Sequence, residues 1–267
     1  ADPVKANAIA VDALKRGATS IAFNANKLDN KAALETLLKD IDLNKTGVQF
    51  NHVKNYIELV KNFLGYIEEK GYDKSLVSGS INFDPLIYRL KHNKFYFSQE
   101  EDMMQAVELL NMVDHMPNFK LINVNGIVLH NAGSTIVQEL GYTLALANEY
   151  LAFCTEHGVK MEKAASRIQL TLSVGSNYFM EIAKLRAARL LWSTIVEQYK
   201  PTCDCAYKIR INTVASTWNK TLYDPYVNML RSTTEGMSAV IGGSGALSFL
   251  PLFVGVKKND EASPRVR

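Results

Sequence analysis

The stretch Gly126–Gly141, reading GIVLHNAGSTIVQELG, decides the fold. It joins the end of a β-rich run, Leu121–Val128, to the start of an apolar helical pattern, Ile136–Phe153, through a short turn. A strand followed closely by a long helix is the repeating unit of α/β proteins. In a (β/α) barrel, chemistry collects at the C-terminal ends of the strands. Here that end carries Ile127 and Val128, neither of which can donate or accept a proton.

Outward from this unit the alternation repeats. Further β-rich runs stand at Ser20–Asn24, Gly47–Asn51, Leu76–Phe83, Arg167–Val174, Lys208–Ser216 and Leu247–Phe253. Between Val53 and Lys70, the residues Val53, Tyr56, Ile57, Val60, Phe63, Leu64 and Ile67 recur at spacings of three and four, which builds one apolar helical face. Gly71 ends it. The same period returns in Met103–Val113, Phe179–Tyr199 and Tyr226–Ile241.

Alternation of this kind predicts parallel strands with helical crossovers, and the number of units favours a closed barrel over an open sheet. Seven strands are one short of eight: an N-terminal unit is lacking, a strand is hidden in the pattern, or the sheet is open. The predicted fold class is an α/β, (β/α)8 TIM-type barrel incomplete by one N-terminal unit, with residues 1–267 as a single domain. A dinucleotide-binding fold would need a Gly-x-Gly-x-x-Gly turn from strand to helix. The glycine-rich Gly242-Gly243-Ser244-Gly245 follows a helix and precedes a strand, so it reads as a helix stop.

Composition narrows the partners. A net charge of +3 over 267 residues, with basic residues scattered and no stripe, argues against nucleic acid. No apolar run reaches the roughly 18–20 residues that cross a bilayer, and the N-terminal stretch ADPVKANAIAVDALKRG lacks the pattern of a secretory signal. The expected location is the cytoplasm. Cys154, Cys203 and Cys205 make no even disulfide framework and are read as free thiols of a reducing compartment, the last two facing solvent.

The predicted strand ends offer Asn24, Asn51, Asn82, Asp84, Ser173, Ser176, Asn212 and Ser216 beside Ile127 and Val128. Amides and hydroxyls orient ligands but carry protons poorly near neutral pH. The five histidines, His52, His92, His115, His130 and His157, fall one to a segment, without metal-ligand spacing. No metal site is expected. His92 and His130 lie just beyond strand ends and are the histidines placed to touch a ligand. Lys120 and Lys208 precede their strands, the wrong face for a Schiff-base lysine of an aldolase or lyase.

Four long blocks, HMPNFKLINVNG (His115–Gly126), HNAGSTIVQELGYTLA (His130–Ala145), FMEIAKLRAARLLWSTIVEQY (Phe179–Tyr199) and YDPYVNMLRSTTEGMSAVIGG (Tyr223–Gly243), resemble in order the barrel domain of the methylmalonyl-CoA mutase family. In that family the barrel holds an acyl-CoA thioester along its axis. A separate C-terminal domain presents adenosylcobalamin, which supplies the radical chemistry. The active subunit's Gly-Tyr-His-Ile-Arg-Glu-Ala-Gly segment corresponds to Gly126–Gly133, which puts its tyrosine on Ile127 and its histidine on Val128. Losing one donor aimed at developing charge costs about 100- to 1000-fold in rate.

The same comparison sets Asn82-Phe83-Asp84 on a Gln-Asn-Asp, His92 near a carboxylate-gripping arginine, and Arg210-Ile211-Asn212 on an Arg-Thr-His. Gly242–Ser248 falls on a histidine-rich turn. Asn82, His92, His130, Arg210 and Asn212 are therefore expected to line a degenerate substrate pocket. The cobalt-ligand signature Asp-x-His-x-x-Gly is missing, since Phe50, Leu90, Val113, Val128 and Thr155 stand two before the five histidines.

The resemblance implies the barrel of a small, non-catalytic subunit, without the cobalamin domain. It would bind no cofactor itself and would pair with a large catalytic subunit that carries adenosylcobalamin. That complex interconverts methylmalonyl-CoA and succinyl-CoA in propionate metabolism. Acyl-CoA binding by the chain itself is not expected; the alternative is an active acyl-CoA mutase of altered specificity.

Other conspicuous residues read as structural. Arg186 and Arg189 flank a buried Leu and Trp face. Arg231 and Glu235 form an i, i+4 surface pair worth about 0.2–0.5 kcal/mol. Asp224 and Pro225 mark a helix start. The charged stretch Val256–Arg267 reads as a loop.

Overall fold

The computed structural model describes residues 2–26, 28, 30–224 and 226–249. The predicted loop Val256–Arg267, the end of the predicted strand Leu247–Phe253, and Pro225 lie outside the described residues. Seven strands occur among those described: β1 (Ser20–Asn24), β2 (Gly47–Asn51), β3 (Gly79–Phe83), β4 (Phe119–Asn125), β5 (Ile168–Val174), β6 (Arg210–Ala215) and β7 (Ala246–Ser248). They form one sheet in the order β1-β2-β3-β4-β5-β6-β7, every strand beside its neighbour in sequence. The pairs β1–β2, β2–β3, β3–β4, β5–β6 and β6–β7 are parallel. Parallel strands in sequence order, with helices between them, are the arrangement of a TIM-type (β/α) barrel, here one strand short of eight among the described residues.

The helices are α1 (Pro3–Lys15), α2 (Lys31–Leu38), α3 (Tyr56–Lys70), α4 (Pro85–His92), α5 (Gln99–Met112), α6 (Ile127–Asn131), α7 (Ile136–Glu156), α8 (Met161–Arg167), α9 (Tyr178–Glu197) and α10 (Val227–Ile241). A short 3-10 turn, Asp204–Tyr207, precedes β6. The chain divides into two compact units, residues 1–123 with 150–168, and residues 124–149 with 169 onward.

In the first unit α3 shows why the sequence folds as it does. Tyr56, Leu59, Val60, Phe63, Tyr66 and Ile67 are its buried face. Asn55 caps its start by accepting from Glu58 N, and Gly71 ends it in the left-handed region at φ 68°. Phe63 sits edge-on to Phe50 at 5.3 Å and against Phe119 at 5.2 Å, which locks α3 onto β2 and β4. Such ring pairs contribute about 0.5–1.5 kcal/mol each beyond area burial. β3 begins at Gly79, three residues later than the predicted Leu76, because Leu76 and Val77 close a turn by donating to the Asp73 carbonyl; at Gly79 itself, with φ 148°, a Cβ would collide with the Val48 carbonyl.

In the second unit β5 is buried at every position. Leu170 and Leu172 alternate with Gln169, Thr171 and Ser173, so one face of the strand is apolar and the other is polar yet equally enclosed. Leu185, Ala188 and Trp192 of α9 are likewise fully buried. Arg189, half-buried between them and solvent, donates to the carbonyls of Leu185, Gly242 and Gly243, and burial lowers its guanidinium from the ordinary value.

Three local expectations need correction. Strand β4 stops at Asn125, and Ile127 and Val128 lie in the one-turn helix α6. Gly126 makes this possible, since its N–H still donates to Thr171 O while its Cα hydrogen faces Thr143 and Leu172. Helix α10 starts at Val227 with Tyr226 at its cap position and no side-chain cap, so Asp224 does not cap it. Cys203 and Cys205 are joined as a disulfide in the exposed loop before β6, where free thiols were expected; one intervening residue keeps the two sulfurs within reach. Cys154 is a buried free thiol.

Candidate functional site

In the second unit the residues after β4, β5 and β6 meet. The centre is Lys184 on α9, whose side chain is fully buried. Its ammonium donates to Glu139 Oε2 at 2.7 Å, to the Ser173 carbonyl at 2.9 Å and to Ser173 Oγ at 3.2 Å. It lies 2.7 Å from Glu181 Oε2. Glu139, on α7 and fully buried, also accepts from Ser173 N at 2.7 Å and Ser173 Oγ at 2.8 Å. Glu181 Oε1 accepts from Gly175 N at 3.1 Å. The cluster therefore bolts α7 and α9 to the end of β5. Burying charge is costly unless each group is paired, and these are paired on several sides.

Beside it lies His130, at the end of α6. Its Nε2 is 2.8 Å from Ser216 Oγ, and its Nδ1 is 3.7 Å from Glu139 Oε2. Ser216, just past β6, accepts from Trp218 N at 3.1 Å. The order Ser–His–Glu is that of a nucleophile, base and orienting acid. Burial decides against that use: Ser216 is 1% exposed, so no substrate carbonyl reaches it. Glu139 also spends both oxygens on Ser173 and Lys184. The His130–Ser216 pair instead ties α6 to the loop after β6.

That loop has its own anchor. Lys220 Nζ meets Glu235 Oε2 at 2.6 Å, and Asn219 Nδ2 donates to Glu235 Oε1 at 2.7 Å, with both side chains of the ion pair buried. The expected surface pair Arg231–Glu235 is replaced by this buried one. Arg231 instead donates to Asn228 Oδ1, and Asn228 holds Thr221 through its backbone N–H and carbonyl.

The predicted pocket residues divide between the units. Asn82 and His92 belong to the first. Asn82, at the end of β3 with φ 42°, accepts from Ser80 Oγ at 2.7 Å and donates to Asn51 Oδ1, forming a chain of strand-end amides. Asp84 follows it, capping α4 through Ile87 N and accepting from Tyr150 OH at 2.8 Å. Full burial pushes the Tyr150 phenol well above its ordinary pKa, and the adjacent Asp84 raises it further. His92 is exposed in the last turn of α4, its ring 4.4 Å from that of Tyr88, nine residues past β3.

His130, Arg210 and Asn212 belong to the second unit. Arg210 opens β6 at the strand's N-terminal end, where burial lowers its guanidinium from the ordinary value. Asn212 is buried mid-strand and donates to Gln169 Oε1 at 3.1 Å. Of the three, His130 alone joins the strand-end cluster. Lys120, expected before its strand, is the second residue of β4 and donates to the carbonyls of Pro117 and Ser166.

Glu139, Glu181 and Lys184 went unmarked in the sequence. A signal existed: Glu139 is the single charged residue between Ile136 and Asn148, and it falls on the apolar face of the helix.

Among the described residues no three His, Cys, Asp or Glu side chains gather for a metal. His130 is engaged by Ser216, His157 by the Phe153 carbonyl, and His92 stacks on Tyr88. No helix among the described residues is long and apolar enough to cross a membrane.

Comparison with known proteins gives a consistent picture. The family model described as methylmalonyl-CoA mutase matches residues 15–266. A methylmalonyl-CoA mutase small subunit of Porphyromonas gingivalis is 38% identical over 98% of this chain and 42% of its own length. A methylmalonyl-CoA mutase of Rhizobium meliloti is 32% identical over 82% of this chain and 31% of its own. The human mitochondrial methylmalonyl-CoA mutase is 32% identical over 82% of this chain and 30% of its own. The chain thus spans less than half the length of these relatives.

Proposed function

The chain belongs to the methylmalonyl-CoA mutase family, and from that premise we propose that it is the barrel region of a small subuniT that supports a large catalytic subunit without turning over substrate itself. The carrying observation is the emptied end of β4. Ile127 and Val128, where the active subunit's tyrosine and histidine fall, sit half-buried on α6 and offer no hydrogen-bond donor. The groups that remain polar nearby, His130, Ser173 and Ser216, are engaged with one another or with buried charges. Oriented donors at the site of developing charge are the protein's main contribution to such catalysis.

In this reading residues 1–267 form one barrel domain, adenosylcobalamin belongs to the large subunit, and acyl-CoA is not a ligand of this chain. The reaction of the complex is the interconversion of methylmalonyl-CoA and succinyl-CoA. A cytoplasmic location is part of the reading; the Cys203–Cys205 disulfide is the feature that argues against it, because reducing compartments keep such pairs open.

The test is turnover. The full-length small subunit, supplied with adenosylcobalamin and methylmalonyl-CoA, is expected to give no succinyl-CoA above background, while its complex with the large subunit is active. Turnover by the isolated subunit at rates like those of the large subunit overturns the proposal and favours an acyl-CoA mutase of altered specificity.

A further inference from the structure

The loop that joins α9 to β6 carries a pair of sulfurs that the cluster at the strand ends does not use. Thr202, Cys203, Asp204 and Cys205 are all exposed, and the two cysteines are joined across the single residue Asp204. The loop stands before the start of β6, whereas Ser216 lies just past its end. Six strand residues, roughly 20 Å, therefore separate the sulfurs from the His130–Ser216 pair.

A disulfide that staples a fold joins distant segments and gains from the long loop that it closes. This one joins residues two apart in the chain. The loop is held by other bonds. Trp192 Nε1, on fully buried Trp192 of α9, donates to the Ala206 carbonyl at 3.2 Å, Ala206 N to the Cys203 carbonyl at 3.2 Å, and Lys208 N to the Cys205 carbonyl at 3.4 Å. None of these three bonds uses a sulfur. With the S–S bond open, the backbone still keeps the two Cα atoms near their separation of 5.2 Å, from which a disulfide closes without backbone movement. Exposed pairs that the fold neither needs nor shields are the labile ones.

We propose that Cys203-Asp204-Cys205 is a thiol–disulfide exchange site whose substrates are low-molecular-weight thiols of the glutathione class. The two sulfurs are not equivalent, because Cys205 N donates to Cys203 Sγ at 3.1 Å. A donor aimed at a sulfur stabilises the negative charge that forms on it as the bond breaks, so Cys203 is the leaving group and Cys205 Sγ the atom attacked. A first glutathione thiolate forms an S–S bond to Cys205, the Cys203–Cys205 bond breaks, and Cys203 leaves as a thiolate that takes a proton. A second glutathione attacks the glutathione sulfur of that mixed disulfide and releases Cys205. Two electrons and two protons pass to the pair, and one glutathione disulfide leaves. In the reverse direction Cys203 resolves the mixed disulfide on Cys205 and the pair closes. The inference rests on this loop alone and is independent of the reading given under Proposed function.

The experiment equilibrates the full-length protein, without oxygen, in buffers of reduced and oxidised glutathione. Samples are quenched with acid, alkylated in denaturant and mapped by mass spectrometry, with buried Cys154 as the constant thiol. The expected result is a single two-electron transition of Cys203 and Cys205, closed in at least tenfold excess at the oxidising end and open in at least tenfold excess at the reducing end. Early in opening, glutathione is found on Cys205 at least threefold more often than on Cys203. Cys203→Ser in glutathione disulfide holds at least tenfold more mixed disulfide on Cys205 than wild type does, because no neighbouring thiol resolves it. Cys203→Ser/Cys205→Ser melts within about 2 °C of wild type, the shift of a minor change in a chain of this size.

A pair that stays closed in excess glutathione until denaturant is added, or a double variant that melts well below wild type, is a structural staple and overturns the inference. Reduced wild type that collects stable mixed disulfides on both cysteines in glutathione disulfide, as two separate thiols would, overturns it as well. Glutathione found mainly on Cys203 during opening overturns the assignment of the leaving group and the role given to the Cys205 N–H.

Discussion

Lys184 Nζ lies 2.7 Å from Glu139 Oε2 with both side chains fully shielded from water. This ion pair, reinforced by Ser173 and Glu181, holds the second unit's strand ends in place where the family resemblance would put catalytic groups. Replacing Lys184 by Met leaves two buried carboxylates facing each other without a cation. Removing one member of a buried pair costs about 3–5 kcal/mol, so Lys184→Met is expected to lower the urea midpoint sharply. Lys184→Met/Glu139→Gln recovers part of the loss, because one uncompensated charge is gone. A single variant as stable as wild type would show that the pair contributes nothing net.

Gly126 is the hinge between β4 and α6. A Cβ at this position would overlap Thr143 Oγ1 and stand 3.1 Å from Leu172 Cδ2. Overpacking of this kind costs about 1–3 kcal/mol. Gly126→Ala is expected to destabilise by that amount in chemical denaturation, and Gly126→Ala/Thr143→Ala, which clears the nearest atom, to recover most of it. Equal losses in both variants would place the strain on Leu172 or the Thr171 carbonyl.

The alternation of strands and helices was legible because period-2 and period-3.6 patterns report burial directly, as Gly47–Asn51 and the apolar face of α3 show. Short elements without a full period escaped: α6 is a single turn, and Ile127 and Val128 read as strand because β-branched residues suit both states at that length. Within the candidate site His130 and Ser216 were legible as residues at strand ends, whereas Glu139 and Lys184 were not, because they come from two helices that only tertiary contact brings to the end of β5. Arg231 and Glu235 misled for the same reason: helix spacing allows their pairing, and the loop bearing Lys220 takes Glu235 first.

Asp102 on α5 makes the pH dependence testable. It is fully buried, accepts from Tyr96 N at 2.8 Å and Phe97 N at 3.2 Å, and burial raises its pKa above the ordinary carboxylate value despite those bonds. The folded state therefore keeps this proton at a pH where the unfolded chain, with a carboxyl pKa of about 3.9, releases it. Stability from this group is present below that value and falls as pH rises through the raised one. Asp102→Asn removes the slope and one hydrogen bond, worth about 0.5–1.5 kcal/mol. The cost of the substitution is thus expected to be larger near pH 4 than at pH 7 in urea titrations. A cost that grows toward neutrality would mean that the backbone N–H groups outweigh burial.

The cysteines give a compact chemical check. Cys154 is fully buried, and burial pushes its thiol up to about 12. Thiolate is the reactive form, so this residue combines closed access with a vanishing thiolate fraction near pH 8. Cys203 and Cys205, exposed and joined, offer no thiol until reduced. Titration of the oxidised native chain with an aromatic disulfide reagent is expected to yield no fast-reacting thiol. After mild reduction two react within minutes, and the third appears only when denaturant is added. Two fast thiols before any reductant would show the pair to be open in solution, restoring the reading of a reducing compartment. A fast third thiol in the native state would instead show that α7 opens around Cys154.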